Sequence, residues 1–170
     1  MRQSVFLFLL IPLAASTQPH ADKIPSAKVR TLDGSSFNTE NISNNGKPII
    51  ICFWKTWNRN SIKELDNIAE LYPDWQNETG VKLIAISIDD SRSSAKVTAM
   101  VKVKDWNYEV YLDINQDFKR VMNAYGCPAT FLVNNNGQIV WQSNSYLQGS
   151  EDDLYVLIQK LAKNETLEKN

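Results

Sequence analysis

From Pro48 to Trp54 every residue is apolar. An unbroken run of that length between polar flanks predicts a strand buried on both faces. Val81 to Ile88 follows the same pattern more loosely and is ended by Asp89-Asp90-Ser91. Between the two runs, Ile62, Leu65, Ile68, Ala69, Tyr72 and Trp75 recur at helical spacing, which predicts an amphipathic helix whose regular part Pro73 should kink or end. Further on, residues 92–105 read as a helix with Val97, Met100 and Val101 inward, 108–112 as a short strand and 117–124 as a short helix. Thr130–Val133 and Gln138–Trp141 flank Asn135-Asn136-Gly137 and predict a hairpin. A last helix over 151–162 shows Leu154, Leu157, Ile158 and Leu161. Near the start, 28–31 and 36–37 flank Asp33-Gly34 and predict an N-terminal β-hairpin. The order ββ-βαβαβα-ββα implies an α/β domain, a mixed central β-sheet flanked by helices.

The ends read differently. Arg2 precedes an apolar stretch from Val5 to Ala15, broken only by Pro12, and Ala14-Ala15-Ser16 are small. Residues 1–16 therefore read as a signal peptide, too short for the ~20 residues a bilayer requires. The mature protein is expected to be periplasmic or secreted, with no membrane span. Residues 17–26 read as a flexible leader, 27–163 as the domain and 164–170 as a C-terminal tail. With 18 basic and 19 acidic residues among 170 the net charge is −1, so no nucleic-acid partner is implied. One histidine, His20 in the leader, and two separated cysteines offer no standard zinc or copper site. Asp113-x-Asn115-x-Asp117 begins like a calcium loop, but Phe118 and Ala124 stand where glycine and glutamate are needed. No metal and no cofactor is expected.

The motifs carry the rest. Phe53-Trp54-Lys55-Thr56-Trp57 leads from the first buried strand into Asn58-Arg59-Asn60-Ser61. Leu32-Asp33-Gly34 and Gly46-Lys47-Pro48 precede it; Val81 to Asp90, the run from Tyr125-Gly126-Cys127-Pro128 to Val133, and Asn136-Gly137 follow. Together these resemble the TlpA/ResA-like branch of thioredoxin-fold proteins, within the redoxin group related to AhpC/TSA. The resemblance spans roughly residues 26–162. It implies a thioredoxin-like fold and a thiol-disulfide oxidoreductase, a class that reduces disulfides or matures cytochromes c. Its Cys-x-x-Cys would fall on positions 58–61, where Asn58 and Ser61 stand instead.

Dithiol exchange needs a thiolate at a helix N-terminus and a resolving thiol one turn on. Asn58 cannot supply the first and reads as a helix N-cap. Ser61 has no base, because His20 lies in the leader. Ordinary disulfide reductase activity is thus contradicted by the residues. Pro128 matches the family's cis-proline, whose preceding residue pairs with an extended partner. The leading reading is a peptide- or protein-binding module presenting Trp57, Asn58, Arg59, Cys127 and Pro128. The alternative is a single-thiol redox protein, with the Cys127 pKa lowered by the helix dipole, Arg59 and Lys55; otherwise Cys127 fills an apolar slot. Cys52, about 15 Å below Trp57 at strand rise, reads as inert core unable to bridge to Cys127. Asp90 reads as a strand-end cap or solvated acid. Phe53 and Trp54 either border the groove or pack the core, and Trp57 is the better candidate for exposure.

Overall fold

A computed structural model describes residues 23–167. The expected signal peptide, His20 and most of the expected leader lie outside them. A single seven-stranded sheet runs in the order β2-β1-β5-β4-β3-β6-β7. Its strands are β1 Lys28–Thr31, β2 Ser36–Asn38, β3 Ile49–Trp54, β4 Lys82–Ser87, β5 Glu109–Leu112, β6 Ala129–Val133 and β7 Ile139–Ser143. The helices are α1 Arg59–Thr79, α2 Ser94–Val103, α3 Asp117–Val121 and α4 Ser150–Ala162. β3 pairs parallel to β4 and antiparallel to β6, so the sheet is mixed.

The central place of β3 follows from its composition. All six of its residues are buried, as two-sided coverage demands. Ile50, Cys52 and Trp54 face the layer of α1, α2 and α4 with Leu65, Ile68, Val97, Leu154 and Ile158. Ile49, Ile51 and Phe53 face the other way, onto Phe118, Met122 and Phe131. The alternation is the period-2 rule applied to a strand with two hydrophobic faces. Phe53 and Trp54 are therefore core and do not border a groove; both have 0% exposure.

Two expectations change. α1 does not end at Pro73 but continues through it to Thr79. The missing N–H costs one ladder bond, while Tyr72 and Trp75 on either side stay buried and hold the last turns against the sheet. The helix stops at Gly80, which takes a left-handed φ of 69°. The chain is also fixed earlier than residue 27. Ile24 packs on the α3 side, and the Pro25 carbonyl accepts a 2.6 Å hydrogen bond from Thr39.

Candidate functional site

The site lies where the C-terminal end of β3 meets the start of α1, facing the loop before β6. Asn58 is the N-cap of α1: its Oδ1 accepts from the Ser61 N–H at 2.9 Å. An asparagine in this position stabilises a helix by about 1 kcal/mol over alanine. Its Nδ2 has a second task, donating 2.8 Å to the Cys127 carbonyl. That bond joins segments 69 residues apart. It brings Asn58, Cys127 and Pro128 together as the family resemblance implied, and the Cys127–Pro128 peptide is cis.

Ser61 is fully buried. Its hydroxyl donates to the Asn58 carbonyl at 3.0 Å and accepts from the Lys55 N–H at 3.3 Å. Positions 58 and 61 thus hold side chains engaged in hydrogen bonds, Asn58 to the Ser61 N–H and the Cys127 carbonyl, Ser61 to Asn58 and Lys55. Cys127 is half-buried, with its sulfur 3.9 Å from the Phe53 carbonyl. Burial pushes its thiol up from the usual range, against smaller downward pulls from the Ser61 hydroxyl, Lys55 and Lys119. This is opposite to the lowering that the helix dipole, Arg59 and Lys55 suggested. Cys52 is buried and free, its thiol also pushed up by burial.

Trp57 is 67% exposed, with the Lys55 ammonium 4.8 Å from its ring centroid. Arg59 is exposed beside it on the first turn of α1. Tyr125, two residues before Cys127, is 70% exposed and joins the same end of the molecule. The sequence pattern offered no reason to single it out. Gly126 lets this loop touch the one after β7: a Cβ there would lie 2.8 Å from the Asn144 carbonyl oxygen. A polar hollow of about 210 Å³ lies alongside Trp57, lined by Lys55, Asp89, Asp90, Ser93 and Gln116 among others.

The acids divide cleanly. Asp90 caps the short turn at 91–93 and pairs with Arg92, which holds its carboxyl below the ordinary range. Asp89 is the buried one. It accepts from the Thr56 N–H and hydroxyl, both at 2.9 Å, and so fastens the β3–α1 loop to the end of β4. Asp113 is buried and accepts from the Phe118 and Lys119 N–H groups, so the calcium-like run is a turn capping α3.

Glu64 went unnoticed in the sequence because an isolated glutamate on a helix reads as solvated. It is 6% exposed, one turn beyond Ser61. Its Oε1 accepts from the Thr130 hydroxyl at 2.7 Å, while its Oε2 is buried without a partner among the described residues. Burial pushes its pKa up from 4.5 to about 7. A raised folded-state pKa means that this stability is fully present below pH 4.5 and is lost as pH rises through about 7. Urea unfolding should therefore show native protein losing about 2–3 kcal/mol, relative to Glu64→Gln, between about pH 5 and about pH 8. Parallel pH profiles for the two proteins would contradict this.

The AhpC/TSA family model matches residues 20–142. The chain belongs to the AhpC/TSA family. This redoxin is 28% identical over 116 residues to the thiol-disulfide oxidoreductase ResA of Bacillus cereus, covering 68% of the chain and 64% of that protein. It thus spans just under two thirds of the length of such curated relatives. A thioredoxin-like protein from Porphyromonas gingivalis, solved in solution, is 40% identical with a TM-score of 0.75, over 86% of this chain and 95% of that one. A thiol:disulfide interchange protein from Chlorobium tepidum, at 20% identity and a TM-score of 0.67, covers 86% and 99% and shares the fold. The redoxin is accordingly TlpA/ResA-like and its fold thioredoxin-like. No helix among its described residues is long and apolar enough to cross a membrane.

Proposed function

We propose that this redoxin is an extracytoplasmic recognition module that has lost dithiol exchange and binds an extended peptide or protein segment at its cis-proline edge. The observation that carries the reading is the state of positions 58 and 61. Neither holds sulfur, and both side chains are tied into the fold, Asn58 to the Ser61 N–H and the Cys127 carbonyl, Ser61 to Asn58 and Lys55. What is left accessible suits contact: Trp57 and Tyr125 expose large rings on the two segments that Asn58 joins. Aromatic anchors of this kind dominate binding energy at interfaces. The Cys127 carbonyl has two lone pairs and gives one to Asn58 among the described residues, which leaves one for a partner N–H in this reading. The extracytoplasmic assignment rests on the charge-apolar-small pattern of residues 1–16.

The native protein should not accelerate insulin reduction by dithiothreitol. Peptides selected from a random displayed library should shift the backbone amides of Trp57, Asn58 and Cys127, and should bind Trp57→Ala about tenfold more weakly or worse. Catalysed insulin reduction would overturn the loss of exchange. Selected peptides that leave those amides unmoved would overturn the binding edge. Alkylation of Cys127 judges the single-thiol alternative: half-maximal rate should fall above about pH 8.5, and a value below about 7 would favour that alternative instead.

A further inference from the structure

Three segments meet at the cis-proline end of the sheet. Asn58 bonds to the Cys127 carbonyl and joins the start of α1 to the loop before β6. Gly126 in that loop lies close against the Asn144 carbonyl and joins it to the loop between β7 and α4. Lys63, on the second turn of α1, donates 2.6 Å to the Gln148 side chain and closes the circuit. Each segment holds one large side chain out into solvent: Trp57, Tyr125 and Leu147, the last 75% exposed.

The unmatched charges on this face have one sign. Lys55, Arg59 and Lys63 come from the β3–α1 loop and α1. Lys119 comes from α3, tied to the Tyr125 loop by the Ala124 N–H, which donates 3.1 Å to the Lys119 carbonyl. None of the four pairs with a carboxylate among the described residues. The acids nearby are already matched. Asp89 accepts from Thr56 and the Ser87 hydroxyl, Asp90 pairs with Arg92, and Asp117 pairs with Arg120. Burial pushes the Cys127 thiol up, while Lys55 and Lys119 both pull it down, so both charges are felt at the cis-proline backbone. α1 also carries its charges against its own dipole. Arg59 and Lys63 stand in its first two turns, Glu70, Asp74 and Glu78 further along, with no acid in the first turn and no base in the last. α4 runs the favourable way, from Glu151, Asp152 and Asp153 to Lys160. The chain as a whole has a net charge of −1, so general basicity does not account for the positive end.

We propose that this face selects an acidic extended segment of a partner protein, in which apolar side chains alternate with aspartate or glutamate. The inference rests on the cis-proline edge being a recognition surface, and it names what that surface recognises. The apolar side chains lie on Trp57, Tyr125 and Leu147, and the carboxylates flanking them meet Lys55, Arg59, Lys63 and Lys119. Complementary charge of this kind speeds encounter and rejects wrong partners more than it adds raw affinity. A basic segment meets four like charges. A hydrophilic anion leaves the three large side chains in water.

The test titrates the full chain, labelled with ¹⁵N, with acetyl-Glu-Trp-Glu-Leu-Glu-amide and with its glutamine and lysine counterparts, following the backbone amides of Trp57, Asn58 and Cys127. At about 20 mM salt the acidic peptide should bind about tenfold more tightly than the glutamine peptide or better, and the lysine peptide most weakly. At about 300 mM salt the advantage should shrink to about threefold or less, because exposed charges are screened. Lys63→Glu with Lys119→Glu should put the lysine peptide above the acidic one. Should that variant not fold, Lys63→Gln with Lys119→Gln should narrow the gap between the acidic and glutamine peptides by about threefold or more. Three peptides of equal affinity would overturn the charge selection and leave the recognition edge standing. Three peptides that all leave those amides unmoved would overturn the recognition edge, and the selection with it. Equally tight binding by acetyl-Glu-Ser-Glu-Ser-Glu-amide, or by phosphatidylglycerol vesicles, would mean that the face reads negative charge alone and would overturn the acidic apolar segment as its occupant.

Discussion

The double variant Asn58→Cys, Ser61→Cys should catalyse insulin reduction where the native protein should show none. Everything but sulfur is in position. Asn58 Oδ1 sits 2.9 Å from the Ser61 N–H at the open end of a 21-residue helix. A thiolate at position 58 would accept the same N–H and feel the same dipole, conditions that lower a cysteine pKa from about 8.5 into the range of about 3.5–7.5. Position 61, one turn deeper and fully buried, supplies a resolving thiol shielded from solvent. The cost is the Asn58 cap and its bond to the Cys127 carbonyl, about 1 kcal/mol for the cap alone. Cys127 is close enough to compete as resolver, so the same pair placed in a Cys127→Ala background should keep its activity. A folded double variant that leaves insulin intact, with a position-58 thiol titrating near 8.5, would show that more than the two sulfurs has been lost.

Trp54→Ala should cost about 3–5 kcal/mol of folding stability, whereas Trp57→Ala should change it by no more than about 0.5 kcal/mol. The two tryptophans are three residues apart and do opposite work. Trp54 is fully buried and packs edge-on against Trp106 with ring centroids 5.0 Å apart, so its removal opens a cavity beneath α1 and α2. Trp57 stands in solvent and touches chiefly its neighbour Lys55. The stability loss at Trp54 is read by urea unfolding. At Trp57 the loss appears in peptide affinity while the unfolding midpoint stays put. A large destabilisation by Trp57→Ala would mean that its ring supports the fold and is not free for a partner.

Much of this architecture was legible along the chain, because its signals are local. The apolar run of β3 announced a strand covered on both sides, Asp33-Gly34 a hairpin, and the spacing from Leu65 to Trp75 a helix face. Asn58 was readable as an N-cap because capping involves residues only three apart. Pro73 was read as a kink or an end of the regular helix, and only the end is overturned, because that rule weighs one lost hydrogen bond and cannot see the burial of Tyr72 and Trp75 around it. Phe53 and Trp54 were undecided for a related reason. Their membership of the motif says that they lie near the site, and only the layers on either side of β3 say that both point into core.

By itself, the sequence determined the order of elements, the family likeness and the presence of Asn58 and Ser61 after Trp57, all properties of neighbouring residues or of composition. The tertiary structure alone decided which distant groups meet. It set Asn58 against the Cys127 carbonyl, buried Glu64 beside Thr130 from a strand 66 residues away, and raised rather than lowered the Cys127 thiol. Desolvation and long-range hydrogen bonds depend on what the fold packs around a group, and no pattern along the chain carries that information.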